Sequence, residues 1–108
     1  MKNTTIVFLV CFAISQNSLA QANFQDLTAQ AGLSQIGLNN GVAIGDFNND
    51  GLDDIFATRI FGQGVLYQNL GDGTFSNITS QVGIYTSPTA QFAVWGDVNN
   101  DGWLDLLI

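Results

Sequence analysis

The chain has 108 residues, 46% of them hydrophobic, with 12 Gly, one Pro, one Cys, no His and a formal net charge of −7. Two cations, Lys2 and Arg59, are too few to hold a phosphate backbone, and the lack of His excludes His-ligated zinc and imidazole acid–base chemistry. All nine acidic residues are Asp and none is Glu, a bias toward turns and oxygen-ligand sites rather than exposed helices.

In chain order, residues 1–20 read as a secretory signal peptide, with cleavage after Ala22 as the alternative. Lys2 supplies the positive start, Ile6–Ile14 the apolar stretch, and Ser18-Leu19-Ala20 a small-x-small cleavage motif. A transmembrane anchor is the competing reading, but nine apolar residues fall short of the ~20 needed to cross a bilayer. A lipidated Cys11 is disfavoured because Val10 replaces the small residue expected before it. Cleavage removes both Lys2 and Cys11, so no disulfide can hold the remainder together. Stability must then come from a core, a metal or more chain.

Residues 23–57 align with 74–108 without a gap at an offset of 51, and eleven of the 35 pairs are identical. One structural unit is used twice. Within it, residues 41–45 (GVAIG), 54–58 (DIFAT), 64–68 (GVLYQ) and 74–79 (TFSNIT) read as short strands rich in β-branched and aromatic residues. Asn69-Leu70-Gly71-Asp72-Gly73 is a turn between the third and fourth, and 80–91 reads as a connecting loop. No segment after the leader sustains a three-turn helical apolar pattern. The fold class is therefore all-β.

Four strands and a loop recurring at this period describe a propeller blade. On that reading 41–79 is one blade of four antiparallel strands, 92–108 begins the next, and 23–33 matches the last strand of a preceding one. Residues 23–108 then form about two blades, where propellers use four to eight. The expectation is a piece of a longer protein, with a self-assembling half-propeller as the alternative.

Seven of the nine carboxylates lie in two loops of pattern D-x-N-x-D-G-x-x-D. They are Asp46-Phe47-Asn48-Asn49-Asp50-Gly51-Leu52-Asp53-Asp54 and Asp97-Val98-Asn99-Asn100-Asp101-Gly102-Trp103-Leu104-Asp105. Oxygen side chains at positions one, three and five can converge when a Gly at six allows a sharp turn; position seven can offer a carbonyl and position nine can close the shell. That set favours Ca²⁺ over Mg²⁺. An ordinary hairpin turn is the competing reading. Against it, two carboxylates ~5 Å apart repel by ~3 kcal/mol at a dielectric of ~20, a cost that Asn or Ser would avoid. An EF-hand fails because its position-twelve Glu is replaced by Ala57 and Ile108, and because the flanks are strands.

Residues 41–58 (GVAIGDFNNDGLDDIFAT), 66–79 (LYQNLGDGTFSNIT) and the second Asp loop together resemble the FG-GAP/VCBS-type repeats of secreted β-propellers. They are particularly similar to the repeats that precede the ASPIC/UnbV domain in cartilage-acidic-protein-like sequences. The resemblance implies a seven-bladed type of ring with Ca²⁺ between the first two strands of each blade. It implies one site from Asp46, Asn48, Asp50, the Leu52 carbonyl and Asp54, and another from Asp97, Asn99, Asp101, the Trp103 carbonyl and Asp105. The name-giving Phe-Gly and Gly-Ala-Pro elements are not cleanly present.

Most aromatic residues are expected to pack between blades rather than to form a sugar-stacking surface, with Trp103 the one left open. Arg59 reads as a solvated cation and Asp53 as exposed or behind the ligands. Asn77-Ile78-Thr79 matches a glycosylation sequon, relevant only in a eukaryotic secretory host. Once the leader is removed, no Cys, His or Lys is left to build a nucleophile–base pair, so no enzyme is expected. The functional expectation is a calcium-binding, non-catalytic propeller segment of a secreted, periplasmic or cell-surface protein. It would bind or adhere to an extracellular protein or carbohydrate, not nucleic acid, and keep no transmembrane segment after cleavage. The alternative is the accessory propeller of a secreted polysaccharide-active enzyme.

Overall fold

A computed structural model of the chain describes residues 23–33 and 39–108. The signal peptide lies outside the described residues. The elements in order are β1 (Asn39–Gly45), β2 (Asp54–Arg59), β3 (Val65–Asn69), β4 (Phe75–Asn77), a one-turn helix α1 (Thr79–Val82), β5 (Val94–Gly96) and β6 (Asp105–Leu107). Strands β1 to β4 form an antiparallel sheet in sequence order, and β5 pairs antiparallel with β6 in a second sheet. The first sheet is a propeller-like unit of four antiparallel strands within residues 39–77, and the second is a strand pair within 94–107. The fold class is all-β.

Alternation places Ala43, Phe56 and Leu66 on one face of the first sheet, directly across from one another in β1, β2 and β3. All three are buried, and Trp95 and Leu106 of the second sheet pack against them together with Ala93 just before β5, Phe47 and Ile84. Phe47 and Trp95 stack with ring centroids 6.2 Å apart and an interplanar angle of 17°. The core is thus the layer between the two sheets. Within the first sheet, the buried Thr58 hydroxyl accepts the Gly41 N–H at 2.9 Å and donates to the Gly41 carbonyl at 3.3 Å, tying β1 to β2. The β3–β4 turn is closed by Leu70 N–H to the Thr74 carbonyl at 3.0 Å, with Gly71 and Gly73 at φ +79° and +87°.

Three expectations are corrected. The fourth strand ends at Asn77 rather than running to residue 79. There the Asn77 side-chain oxygen accepts both the N–H (3.1 Å) and the hydroxyl (2.7 Å) of Thr79, which turns the backbone out of the sheet and into α1. The start of the expected 80–91 loop is therefore helical, up to a left-handed Gly83. Residues 23–33 do not form the last strand of another blade. They repeat the same turn instead: Asp26 Oδ1 accepts the Thr28 N–H at 3.0 Å, Ala31 N–H reaches the Leu27 carbonyl at 2.8 Å, and Gly32 is left-handed like Gly83. Finally, Phe56 and Tyr67 are buried, but Phe24, Phe61, Phe92 and Tyr85, all outside the strands, are exposed.

Candidate metal centre

Both Asp loops join neighbouring antiparallel strands: residues 46–53 link β1 to β2, and 97–104 link β5 to β6. Each must reverse the chain, and each does so with two left-handed residues. Asn49 and Asn100 lie at φ 56° and 62°, and Gly51 and Gly102 at 86° and 87°. Asn and Gly are the residues that enter this region at least cost, which explains the Asn-Asp-Gly run.

The side chains then close on the backbone in one pattern, made twice. Asp46 accepts the N–H of Asp50 on Oδ1 (3.0 Å) and of Gly51 on Oδ2 (2.8 Å); Asp97 does the same for Asp101 (3.1 Å) and Gly102 (2.9 Å). Asn48 accepts the Asp50 N–H at 3.2 Å and donates its amide to Asp50 Oδ2 at 2.8 Å. Asn99 repeats this on Asp101, at 2.9 and 3.0 Å. Asp50 and Asp101 each accept the amide of the residue two positions on, Leu52 and Trp103, at 2.9 Å. Side chains at positions one, three and five are thereby aimed inward over the turn. The two loops also touch, since the Asn49 side-chain amide donates to the Gly102 carbonyl at 3.3 Å.

Position nine behaves differently from the other three. Asp54 is fully buried, and its carboxylate accepts Phe47 N–H on Oδ2 (3.2 Å) and Asn69 N–H on Oδ1 (2.8 Å). It braces the loop against β3 from beneath. Asp105 accepts the corresponding Val98 N–H at 3.1 Å. Burial pushes the Asp54 carboxyl above the usual carboxylate range; the Asn69 and Phe47 amides oppose that, and the Asp50 and Asp46 charges add to it. Asp53, expected to be exposed or behind the ligands, is exposed, and its carbonyl accepts the Asn69 side-chain amide at 3.0 Å. Trp103 is 54% exposed.

Among the described residues, no three carboxylates, Cys or His stand close enough together to make a metal cluster by themselves. The donor chemistry nevertheless fits a hard cation. Each inward oxygen accepts one hydrogen bond and keeps a second lone pair, and the set is entirely oxygen, the donor type that Ca²⁺ takes. The bonds that position nine makes to Phe47 and Asn69 went unforeseen in the sequence. Their signal in the sequence is the Asp54/Asp105 identity within the repeat.

A four-stranded antiparallel blade beside a two-stranded one, each opening on the same Asp loop, defines a propeller-type repeat protein. Residues 46–108 match the FG-GAP-like repeat family, and the chain belongs to it. It is 32% identical over 83 residues to cartilage acidic protein 1 of Xenopus tropicalis and 30% identical over 84 residues to that of Homo sapiens. Those alignments cover 76% and 77% of this chain and 13% of each relative, so the chain spans only a small part of the curated relatives it matches.

Proposed function

We propose that the chain is a calcium-binding, non-catalytic propeller segment of a secreted or cell-surface protein and contributes to extracellular binding or adhesion. The observation that carries this reading is the duplicated loop. Five oxygen-bearing positions and their inward hydrogen bonds recur at an offset of 51 residues, with matching left-handed backbone at the same two positions. Asp46, Asn48, Asp50 and the Leu52 carbonyl would hold one ion with Asp54. Asp97, Asn99, Asp101 and the Trp103 carbonyl would hold another with Asp105. Bound Ca²⁺ would neutralise converging carboxylates that otherwise repel, and would fix the turn between the first two strands of each blade. The role is structural, so the reading requires no general base or nucleophile. The names of the relatives support an extracellular setting, and among the described residues no helix is long and apolar enough to cross a membrane.

The test is calcium titration of the chain, followed by thermal melting and tryptophan emission. Millimolar Ca²⁺, the affinity range of extracellular modules, should raise the melting temperature and chelator should reverse the rise; Mg²⁺ should do little. Trp103 lies within the second loop, so its emission should report that site. The paired Asp46→Ala and Asp97→Ala substitutions should remove the response. A melting curve indifferent to Ca²⁺ would sink the reading.

A further inference from the structure

We propose that Asn49 is a positioning residue for the second Asp loop and that, through it, calcium at the first loop tightens calcium at the second. This rests on both loops holding calcium, as proposed above. In each loop the side chains at positions one, three and five close on the loop's own backbone, with the same bonds in both copies. Position four of the first loop does something else. Asn49 sits at φ 56°, and its amide leaves its own turn to donate to the Gly102 carbonyl at 3.3 Å, 53 residues along the chain. Two further contacts join the loops at their roots. Phe47, at position two, stacks on Trp95, which lies two residues before Asp97. Gly45, just before Asp46, lies so close to Trp95 and Leu104 that a Cβ there would come within 2.9 and 3.1 Å of their Cδ1 atoms.

What the Asn49 amide grips matters more than how far it reaches. The Gly102 carbonyl and the Trp103 N–H belong to one planar peptide group. That N–H donates to Asp101 Oδ1 at 2.9 Å, while the Gly102 N–H donates to Asp97 Oδ2 at 2.9 Å. Asn49 therefore fixes, from the neighbouring loop, the peptide plane that orients Asp101 and leads into the Trp103 carbonyl, two of the oxygens offered to the second ion. Hydrogen bonds at the two ends of one peptide group polarise each other, so the grip on the carbonyl strengthens the donor that Asp101 accepts. Groups that hold ligands in direction without touching the ion typically change metal affinity by about 10–100-fold when removed. Calcium in the first loop would be held by Asn48 and Asp50, the residues on either side of Asn49, and so would still the residue that does the gripping. The second ion then has less of its own loop to order, which is positive coupling. Linkage makes the effect reciprocal, since calcium at the second loop holds the Gly102 peptide in place for Asn49.

The experiment follows the Gly51 and Gly102 amides by NMR during calcium titration of the 108-residue chain. Each is the position-six amide of its own loop, donating to Asp46 or to Asp97, so each reports one site. Asp46→Ala disables the first site and should move the Gly102 midpoint to about five- to tenfold more calcium, within the usual range of coupling between sites. Asp97→Ala should move the Gly51 midpoint by the same factor. If either Ala variant disorders its loop in chelator, Asp46→Asn and Asp97→Asn make the same comparison with one acceptor oxygen retained. Asn49→Gly keeps the left-handed backbone without steric cost and removes only the grip. Added to it, Asp46→Ala should leave the Gly102 midpoint where Asn49→Gly alone puts it. A merely structural Asn49 would shift both midpoints alike and leave the coupling factor intact, which overturns the proposal. So do amides that each respond to calcium but ignore the other site; in both cases the calcium reading itself stands. If neither amide moves with calcium in the wild type, the calcium reading falls and the coupling falls with it.

Discussion

Asp54 and Asp105 hold the same position in two copies of one loop, and both accept the amide seven residues upstream, from Phe47 and Val98. Around them the loops agree bond for bond, with corresponding distances within a few tenths of an ångström. Yet Asp54 is sealed from solvent and takes a further amide from β3, whereas Asp105 is only half-buried. The loop conformation is therefore written into its own nine residues. At Asp54 the third strand adds a further donor, the Asn69 amide, which opposes the upward push that burial gives this carboxyl. Local sequence builds the cradle, and the completed sheet decides how firmly it is held.

The strongest way to break this comparison is at the core. Phe56 and Leu107 are equivalent positions, but Phe56 is fully buried between the sheets and Leu107 faces outward. Phe56→Ala should cost about 3–5 kcal/mol, as for large core truncations, enough to unfold much of the population of so small a domain. Leu107→Ala should cost about 1 kcal/mol or less. Urea unfolding of both variants measures the difference, and equal losses would mean that the two sheets do not share one core.

The position-nine carboxylates come next. Asp54→Ala leaves the Phe47 and Asn69 amides without their acceptor, at about 1–3 kcal/mol for an orphaned buried donor. Asp105→Ala orphans one amide beside solvent and should cost well under about 1 kcal/mol. Both belong in chelator, so that any lost ion does not enter the measurement. A smaller contrast lies at the strand ends before each loop. A Cβ on Gly45 would come within 2.9 Å of Trp95 Cδ1 and 3.1 Å of Leu104 Cδ1, while one on its equivalent Gly96 meets nothing within 4 Å. Gly45→Ala should destabilise by about 1–3 kcal/mol through overpacking. Gly96→Ala should be neutral or stabilise by a few tenths, about what reduced unfolded-chain entropy provides. Melting temperatures in parallel settle it.

The features legible in the sequence were those encoded locally. Gly at position six of the Asp loops foretold a sharp turn in each, and the 51-residue offset foretold a repeated unit with the same loop; that Asn49 and Asn100 also turn left-handed was not foreseen. Strand placement held for β1 to β3 because each has a turn residue at both ends. What escaped was set by single side chains or by neighbours. The Asn77 oxygen capturing Thr79 ended β4 early, an effect that β-propensity at Ile78 and Thr79 concealed. Residues 23–33 resemble a strand-bearing segment in composition, but a strand exists only with a partner; they make the turn while Phe75 N–H reaches across to the Ala31 carbonyl at 2.8 Å. Asp54 as a brace for β3 needed the third strand in place, which no nine-residue motif contains.

That same turn gives the mildest contrast, and the one most specific to a single atom. Asp26 in the first copy is replaced by Asn77 in the second, and each side-chain oxygen accepts the N–H of a Thr two residues on. The Thr28 hydroxyl and amide hold the Asp26 carboxyl below its ordinary value of 3.8. A carboxyl with a lowered folded pKa takes up protons more readily when unfolded. Its stabilisation is thus complete above the unfolded value and is lost as pH falls through the folded one. The Asn77 turn has no proton to gain and should be flat across the same range. In an acid titration followed by NMR, the Thr28 amide should shift with Asp26 while the Thr79 amide stays still. Asp26→Asn should abolish the first response and Asn77→Asp should create the second. Two amides moving together would mean that the acid response belongs to the sheet as a whole, and that the copies do not differ at this atom.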